Sequence, residues 1–425
     1  MDLYVLFAVL AVTLMAGLPV GVALGLASLA YVSLAGLPDA VVLHRMVGGV
    51  DSFPLLAVPF FILAGHLMNT GGITERIFGF ARALIGWLPG GLGYVNVGAS
   101  VMFAGMSGAA VADAGGLGSV EIRAMRQAGY DTDFAVGVTA SSSTIGPIIP
   151  PSLPLIVYGV MASASIGELF VAGLLPGMLM AVALMTMVAW YSHKRGYPRD
   201  GALALAHVSQ SFMRAFLPLL TPAIIIGGIM TGAFTPTEAA VAAVIWTLIL
   251  GMFVYRSLTW RHLVRVLFDT VETTASILLI VAASSIFAWI LISNQIAAHL
   301  ASGLLGISSD PMFVMLAILV IVLVLGLFME TVAAITILVP VLLPVATQAG
   351  IDPVHLGIVV VLALMIGLLT PPVGLVLYVL AGVSGVSFER CVKATVPFLI
   401  PLLVVLIMVA FIPQLSLWLP QQLYR

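Results

Sequence analysis

The feature that most constrains this chain is an internal repeat in an almost wholly apolar sequence. The segment Gln127-Ala128-Gly129-Tyr130-Asp131 recurs as Gln348-Ala349-Gly350-Ile351-Asp352, a shift of 348 − 127 = 221 residues. The same shift, without a gap, superposes further glycines, prolines and acids: Gly105 on Gly326, Ile145-Gly146 on Ile366-Gly367, Pro150-Pro151 on Pro371-Pro372, Glu168 on Glu389 and Pro176 on Pro397. The chain is therefore expected to fold as two similar units with helix breaks at equivalent places.

Composition places those units in a membrane. Apolar residues make up 62% of the 425 residues and charged residues 8%, whereas an ordinary soluble domain has about 25% charged residues. The length allows about ten crossings of roughly 20 residues each, so soluble protein classes are excluded. The N-terminal Met1-Asp2-Leu3-Tyr4 lacks the basic region of a signal peptide and is interpreted as the start of the first membrane helix.

Several function classes are excluded by what the sequence lacks. The balance of 15 basic and 17 acidic residues is not that of a nucleic-acid-binding protein. A single cysteine, Cys391, excludes an internal disulfide framework and a multi-cysteine metal site. No Walker loop, Ser-His-Asp set or His-Glu-x-x-His helix is present, so the sequence predicts neither direct ATP hydrolysis nor another enzyme activity.

The distribution of basic residues predicts that the two halves have opposite membrane topology. Under the 221-residue shift, Arg82 corresponds to Gly303 and Arg123 to Pro344, while Arg390 corresponds to Leu169. Cytoplasmic loops are enriched in Lys and Arg, so equivalent loops of the two halves should lie on opposite sides. Five crossings per half would place both chain ends outside.

The same basic residues predict a re-entrant hairpin in each half. Arg82 and Arg123 are both expected on the cytoplasmic side, with an apolar stretch between them, so residues 83–122 should enter and leave on one face and turn at residues 105–108. The equivalent hairpin, about residues 311–344, should turn near residues 326–331 on the outer face. Non-helical backbone at membrane depth must be buried in protein or line a cavity, so both tips are candidate sites.

The resulting fold prediction is an all-α polytopic membrane protein of two inverted repeats, each with a re-entrant hairpin and a broken helix. The first repeat spans residues 1–195, with its broken helix at about 133–163. A cytoplasmic linker spans 196–214, and the second repeat spans 215–425, with its broken helix at about 353–385. The unbroken crossings are predicted near 3–17, 19–36, 52–70, 170–192, 216–233, 236–255, 273–293 and 394–418.

The first broken helix carries the strongest chemical signal. Three prolines within residues 147–151 interrupt it, because each removes a backbone donor and clashes with the preceding turn. Four hydroxyl residues, 141–144, adjoin the freed carbonyls, and such oxygens suit an alkali cation. The alternative is a proline kink in which these hydroxyls merely satisfy the backbone. The matching break at residues 370–374 favours a site, and transporters with internal repeats bind substrate and ions at such breaks.

Hairpin tips and carboxylates supply further candidates. Half-helix N-termini at a tip such as Ser107-Gly108 would suit a carboxylate ligand, although a glycine-rich packing hairpin is the alternative. A charge at the bilayer centre costs about 2.5–3.5 kcal/mol, which makes it a functional hypothesis. Glu330, beside Thr331, is interpreted as a cation ligand or a helix cap. The remaining carboxylates expected to be buried are Asp113, with a cap as its alternative, Glu238, favoured as an N-terminal cap, Asp269 and Glu272.

These motifs together resemble one family. The segments 105–114, 127–130 and 139–152, followed by 350–355, 366–374 and 415–420, are similar to signatures of the large membrane subunit of tripartite ATP-independent periplasmic (TRAP) transporters. The resemblance covers essentially the whole chain. It departs at Glu330-Thr331, where an acid followed by proline is expected, although the position remains acidic.

The resemblance implies a fold, partners and a mechanism. Such subunits resemble elevator transporters of the ion transporter superfamily, in which two hairpins and two broken helices form a mobile transport domain against a scaffold of outer helices. They work in the bacterial inner membrane with a small four-helix membrane subunit, expected here as a separate chain, and a periplasmic solute-binding protein. Uptake of an organic acid, such as a dicarboxylate or sialic acid, is coupled to sodium ions, with no other cofactor.

Carried onto this sequence, the resemblance implies two sodium sites with the substrate between the two breaks. The first sodium site would use Ser107, Ser141, Ser143 and Thr144, and the second Glu330, Thr331, Thr370 and Gly374. The substrate residues would be Ser107, Gly108, Ser142, Thr144, Pro150, Thr370 and Pro371.

Three other functions remain open at this point. A self-sufficient anion exchanger of the same superfamily would need no binding protein. An ion channel could also use paired re-entrant loops, although no filter-like repeat recurs. A membrane enzyme lacks any convergent nucleophile, base or metal set.

Overall fold

The computed structural model describes residues 2–201, 204–308 and 310–424. For residues 2, 105–107, 297, 300–301 and 304–305 it describes the backbone alone. Regular structure in this part of the chain is entirely helical, with 21 α-helices, one 3₁₀ helix and one π-helix. An isolated antiparallel bridge joins Pro89 and Arg199.

The first half begins with short helices and then forms a helical hairpin and a broken helix. The short helices are α1 (Asp2–Met15), α2 (Val20–Leu34), α3 (Ala40–Val50), the 3₁₀ helix Phe53–Leu56, α4 (Ala57–Thr70) and α5 (Ile73–Ile85). The hairpin consists of α6 (Gly91–Ser107), α7 (Ala110–Gly115) and α8 (Leu117–Gln127). The broken helix is α9 (Thr132–Ser143) with α10 (Leu153–Ala162), and α11 (Ile166–Arg195) ends this half.

The second half repeats this order with longer helices at its start. These are α12 (Leu205–Met230), α13 (Pro236–Leu248), the π-helix Ile249–Val254, α14 (Trp260–Ser293) and α15 (Ile296–Ile307). The hairpin is α16 (Pro311–Gly326) with α17 (Thr331–Gln348), and the broken helix is α18 (Pro353–Gly367) with α19 (Leu375–Ser384). The chain ends with α20 (Phe388–Phe411) and α21 (Gln414–Tyr424).

Seven described helices are long and apolar enough to cross a membrane: Phe53–Thr70, Ile166–Arg195, Leu205–Met230, Pro236–Val254, Trp260–Ser293, Thr331–Gln348 and Phe388–Phe411. The halves of the first broken helix contain 12 and 10 residues. At about 1.5 Å per residue neither half spans a core of about 30 Å. The prediction of an all-helical membrane protein is confirmed.

The helix boundaries follow the repeat. Helices α9 and α18 begin at residues 132 and 353, and α8 and α17 end at residues 127 and 348. Both differences are 221 residues, which is the shift found in the sequence. The breaks also share a cis peptide bond, at Pro150-Pro151 and at Pro371-Pro372. The opposite membrane orientation of the two halves stays a prediction.

Three short helices, α3, α5 and α15, were not expected from the sequence. Helix α5 buries Ile73, Ile77 and Ala81 on one face and carries Arg82 in its last turn. A search for apolar runs of about 20 residues misses such a helix, because charges interrupt the run. The first hairpin therefore begins at Gly91 rather than near residue 83. Helix α12 begins at Leu205, so the second part of the predicted linker is helical.

The start of the linker packs against the start of the first hairpin. The Asp200 amide donates to the Gly86 carbonyl at 3.0 Å, and the Gly90 amide donates to the Pro198 carbonyl at 3.1 Å. Arg82 and Asp200 form an ion pair at the same place. This linker contact fixes the turn between α5 and α6.

The hydrophobic core joins both hairpins and both broken helices. Its largest cluster draws on α6, α8, α9, α17 and α18, and every residue of α18 from Val354 to Gly367 is buried. A smaller cluster, including Leu24 and Phe287, joins α1, α2 and α14. The breaks therefore lie in the best-packed part of the described chain.

Candidate substrate and ion site

The tip of the first hairpin contacts the first helix break. Gly108, which ends α6, has a left-handed backbone with φ of +59°. A Cβ at this position would lie 2.9 Å from the Pro151 carbonyl oxygen and 3.2 Å from the Leu153 nitrogen. Both the backbone conformation and the close approach require glycine.

The second hairpin contacts the second break in a similar way. The Val373 amide donates to the Leu327 carbonyl at 3.4 Å. A Cβ on Gly367 would lie 2.6 Å from the Gly326 carbonyl oxygen, so two glycines allow α16 and α18 to touch. The structure therefore brings each tip to the break of its own half.

A cavity of about 490 Å³ lies where the tips and breaks converge. Its volume is within the range of about 300–1,000 Å³ for small-molecule sites. The hairpins and broken helices form most of its wall, and α14 closes one side. The lining residues are Gly108, Ala109, Ala110, Val111, Pro147, Leu153, Pro154, Thr273, Ser276, Ile277, Ile280, Glu330, Thr331, Val332, Met365, Leu368, Leu375, Tyr378 and Val379.

Three helix N-termini face this central cavity. Leu153, Thr331 and Leu375 all line it, and they are the first residues of α10, α17 and α19. Helix N-termini carry unpaired N–H groups and a partial positive charge. Ser152 caps α10 and Glu330 caps α17, whereas the N-cap residue of α19, Gly374, makes no side-chain hydrogen bond.

The charge of the cavity differs from that of an arginine-based anion site. No lysine, arginine or histidine occurs among the described lining residues, and Glu330 is the charged side chain there. An anion in this cavity would therefore be attracted by helix N-termini and not by a basic side chain.

Glu330 and Thr331 lie together at the second hairpin tip. One carboxylate oxygen of Glu330, Oε2, accepts from the amides of Val332 at 2.8 Å and Ala333 at 3.2 Å. Glu330 is therefore a helix cap, as one of its two interpretations stated, and it is exposed towards the cavity. Thr331 is 3% exposed and its hydroxyl has no hydrogen-bond partner in the described structure. Such an unpartnered buried oxygen is a suitable cation ligand.

The hydroxyl residues of the first break are fully packed. Ser141 donates to the Gly137 carbonyl at 2.9 Å, Ser143 to Ala140 at 2.8 Å and Thr144 to Ser141 at 2.6 Å. These are the backbone-satisfying bonds that the proline-kink alternative describes. Each hydroxyl oxygen keeps lone pairs for another ligand, so their predicted role as sodium ligands stays a prediction.

Ser142 belongs to a network that the sequence did not indicate. Its hydroxyl donates to Oδ1 of Asn96 at 2.7 Å, and the Asn96 amide donates to the Thr139 hydroxyl at 2.7 Å. All three side chains are buried. Asn96 therefore holds α6 against α9, and one polar residue in an apolar hairpin arm was the available signal.

The other predicted site residues lie at different places. The side chain of Ser107 is outside the described residues. Thr370 donates to the Ile366 carbonyl at 2.8 Å, and neither it nor Pro371 lines the central cavity. Pro150 faces Phe170 on α11 instead. Of the predicted residues, Gly108, Glu330 and Thr331 line the cavity.

The prediction of buried carboxylates needs correction. Among those named, Asp113 is buried, whereas Glu330 at the hairpin tip and Glu238, Asp269 and Glu272 on α13 and α14 are exposed. Glu238 forms a capping box with Thr235 at the start of α13, as favoured from the sequence. For the three acids on α13 and α14, helical position explains the error, because they lie on faces that the bundle does not cover, whereas Glu330 faces the central cavity.

A buried carboxylate, Glu121, was missed. It is 1% exposed and Asp113 is 2% exposed. Both oxygens of Asp113 and Oε1 of Glu121 lack a hydrogen-bond partner in the described structure, so the cap proposed for Asp113 is not formed. Leu117, Glu121 and Met125 are all buried on α8, and this four-residue spacing was the signal.

Comparison with known proteins decides the family. The family model described as "Tripartite ATP-independent periplasmic transporter, DctM component" matches residues 7–415. The chain belongs to this family. It is therefore a polytopic membrane protein and one component of a TRAP transporter, and the bacterial inner membrane is its expected location.

Relatives of this DctM-family chain are similar over nearly its whole length. The sialic acid TRAP transporter large permease protein SiaM of Vibrio cholerae is 49% identical over 411 residues, covering 96% of each chain. The sialic acid TRAP transporter permease protein SiaT of Haemophilus influenzae is 43% identical, covering 99% of this chain and 69% of that protein. These similarities confirm the family resemblance seen in the motifs.

One solved structure shares the fold. The YdaH transporter of Alcanivorax borkumensis, described as having an unusual topology, superposes with a TM-score of 0.61. The match covers 89% of this chain and 88% of that chain at 14% sequence identity. At this identity the likeness concerns the fold of the DctM-family chain and nothing further.

Proposed function

We propose that this chain is the large permease subunit of a transporter that imports an organic acid with sodium ions. The observation that carries the proposal is the central cavity, where the N-termini of α10 and α19 face a space without a basic side chain. The third N-terminus there, that of α17, is already capped by the Glu330 carboxylate. Helix N-termini bind carboxylates in transporters built from broken helices. The negative charge of Glu330 would repel a carboxylate bound here, and a co-transported cation neutralises that charge.

Sialic acid is the first substrate to test. The names of the two relatives at 49% and 43% identity specify sialic acid transport. The cavity also presents hydroxyls that suit a polyhydroxylated acid. On α14, Thr273 donates to the Asp269 carbonyl at 2.8 Å and Ser276 to the Glu272 carbonyl at 3.0 Å, so both oxygens can still accept from substrate hydroxyls.

The second sodium ion is assigned to the tip of the second hairpin. Thr331 supplies a buried hydroxyl without a partner, and Glu330 supplies a carboxylate beside it. Sodium prefers such hard oxygen ligands to nitrogen or sulfur. The Leu327–Val373 contact brings the break at 370–374 to this tip, so carbonyl oxygens of the break complete the set. The first ion is assigned to the matching contact between Gly108 and the break at 141–151.

Each hairpin tip contacts the break of its own half, which suits a domain of two hairpins and two broken helices. We infer an elevator mechanism in which this unit slides against the remaining helices, including α14. The small membrane subunit and the periplasmic binding protein implied by the family would complete the transporter.

Uptake into proteoliposomes tests the proposal. The chain is reconstituted with its small subunit, and labelled sialic acid and C4-dicarboxylates are supplied with or without the binding protein and with or without an inward sodium gradient. Uptake that requires both additions is expected. Uptake without the binding protein would instead indicate a self-sufficient carrier, and sodium-independent uptake would overturn the ion assignment.

Variants at the second tip test the ion site itself. Thr331→Val keeps the side-chain volume and removes the hydroxyl, so the sodium concentration for half-maximal uptake should rise about tenfold. Thr347→Val, on the exposed face of the same helix, is the matched control. Glu330→Ala and Thr370→Ala should likewise weaken sodium dependence more than folding. Equal sodium activation in these variants and the parent would refute the site.

A further inference from the structure

A second, separate cavity lies between α5, α12 and the end of the π-helix. Its volume is about 610 Å³, and it shares no lining residue with the central cavity. It is lined by Glu75, Arg76, Gly79, Ser211, Met213, Arg214, Leu217 and Tyr255. Two arginines, Arg76 on α5 and Arg214 on α12, thus line one space away from the hairpins and the broken helices.

Arg76 is held in place at this cavity. Its guanidinium carbon lies 3.8 Å from the centre of the Tyr255 ring, and Nη1 donates to the Gly72 carbonyl at 2.6 Å. A guanidinium has five N–H donors in a planar fork. One is used in this bond, so the group is positioned for a further acceptor without being saturated.

The positive charge of the two arginines is not neutralised by an ion pair. The described chain contains ion pairs at Arg82, Arg195 and Arg390, and none includes Arg76 or Arg214. Glu75 is the acid that lines the same cavity, and it forms no ion pair with either arginine in the described structure. An anionic group is therefore favoured between the arginines, with a cationic group near Glu75.

The surroundings of the cavity are those of a membrane interface. Helix α5 has 13 residues, about 20 Å, which is too short to cross a bilayer, and its apolar side is buried in the protein. Met213, which is 69% exposed, lines the cavity, and α12 and the π-helix expose further large apolar side chains: Phe212 (40%), Phe216 (43%) and Phe253 (71%). Charge and exposed hydrocarbon thus lie next to each other.

We propose that this cavity binds the headgroup of a membrane phospholipid. Arg76 and Arg214 bind its phosphate, because a guanidinium fork matches phosphate oxygens. The acyl chains lie along the exposed side chains of α12 and the π-helix. Glu75 favours a headgroup with an ammonium, such as ethanolamine, over an uncharged glycerol headgroup. The site is independent of the substrate proposed for the central cavity.

The test measures lipid binding to the purified full-length chain with its small subunit. After delipidation, binding of phosphatidylethanolamine, phosphatidylglycerol and phosphatidylcholine is measured by native mass spectrometry. The double variant Arg76→Gln/Arg214→Gln should bind phosphatidylethanolamine at least tenfold more weakly. Arg261→Gln/Arg265→Gln, at two exposed arginines of α14, is the control and should bind as the parent does.

Further variants separate the alternatives. Arg76→Lys keeps the charge but loses the planar fork, so it should fold normally and bind lipid more weakly. Glu75→Gln should reduce the preference for ethanolamine over glycerol. Unchanged lipid binding in the double variant would overturn the proposal. Tight binding of inorganic phosphate without lipid would also overturn it, because that result would indicate an ion site. Loss of the small subunit from the double variant, with lipid binding intact, would overturn it by indicating a protein interface.

Discussion

The Tyr158 hydroxyl donates a hydrogen bond of 2.6 Å to the Pro353 carbonyl. This bond joins α10, the second part of one broken helix, to the first residue of α18, the first part of the other. The Tyr158 ring is fully buried, and a Cβ on Gly357 would lie 2.4 Å from it. The two repeats are therefore attached to each other at the broken helices themselves.

Replacing Tyr158 should weaken this attachment. Tyr158→Phe leaves the Pro353 carbonyl without its partner, which should cost about 1–3 kcal/mol in stability. Tyr158→Ala also creates a cavity and should cost about 3–5 kcal/mol. Thermal unfolding in detergent measures both. Tyr4→Phe, at a side chain that is 82% exposed, should have no effect, and an equal loss there would contradict the assignment.

Asn96 should be required for the packing of α6 on α9. Asn96→Ala removes both the acceptor of Ser142 and the donor to Thr139, which should cost about 1–3 kcal/mol. The Ser142 hydroxyl keeps its longer bond of 3.2 Å to the Thr139 carbonyl. A double-mutant cycle with Ser142→Ala provides the control. The double variant should be more stable than the sum of the single effects predicts, whereas strict additivity would show that the bond contributes nothing.

Gly108→Ala should lower the melting temperature and the uptake rate by more than the cost of its left-handed backbone conformation alone. A left-handed conformation costs an alanine about 1–2 kcal/mol, and the added methyl would also press against the Pro151 carbonyl. Gly36→Ala measures the cost of the left-handed conformation alone, because Gly36 has φ of +67° and no atom lies within 4 Å of a Cβ there. Uptake rate and melting temperature should fall further in Gly108→Ala than in Gly36→Ala, and equal losses would argue against contact between tip and break.

Asp131 should make stability depend on acid pH. The hydrogen bond from the Tyr197 hydroxyl, and then Arg195, lowers the pKa of Asp131 below its usual 3.8. A lowered pKa stabilises the folded state fully above the usual value, and this stabilisation is lost as the pH falls through the folded-state pKa. Asp131→Asn should therefore melt below the parent at pH 7, with a difference that shrinks under acid conditions below about pH 4.

The control for this prediction is Asp51→Asn, at an exposed residue that ends α3. Its melting difference from the parent should stay small at every pH. A difference for Asp131→Asn that persisted unchanged at low pH would show that the carboxylate acts through its shape and not through its charge.

The sequence indicated those parts of the fold that depend on local chemistry. The clustered prolines at 147–151 and 371–372 interrupt their helices, whereas isolated prolines such as Pro176 lie inside a continuous helix. The gap-free repeat shows which interruptions are equivalent. The tip at Gly108 followed from the glycine and the basic residues around it. The predicted hairpins and broken helices therefore correspond to helices of the structure, with boundaries that differ by several residues.

Side-chain positions across helices could not be predicted in the same way. Thr273 and Ser276 lie in an apolar helix of 34 residues, and nothing local shows which of its faces meets the cavity. Asn96 and Glu121 were missed for a related reason, because the partner surfaces of α6 and α8 come from distant segments. Which side chains face a cavity depends on how distant helices pack together, and the residues around any one position do not show that packing.

The N-termini of α10 and α19 at the central cavity have a consequence for how such a transporter diversifies. Attraction for an anion that arises from the backbone cannot be removed by exchanging any one side chain, and it does not titrate. Under the proposed function, side chains such as Thr273 and Tyr378 are then free to vary with the shape of the organic acid. A change of substrate would then require different side chains around the cavity, while the helix N-termini that attract the anion stay the same.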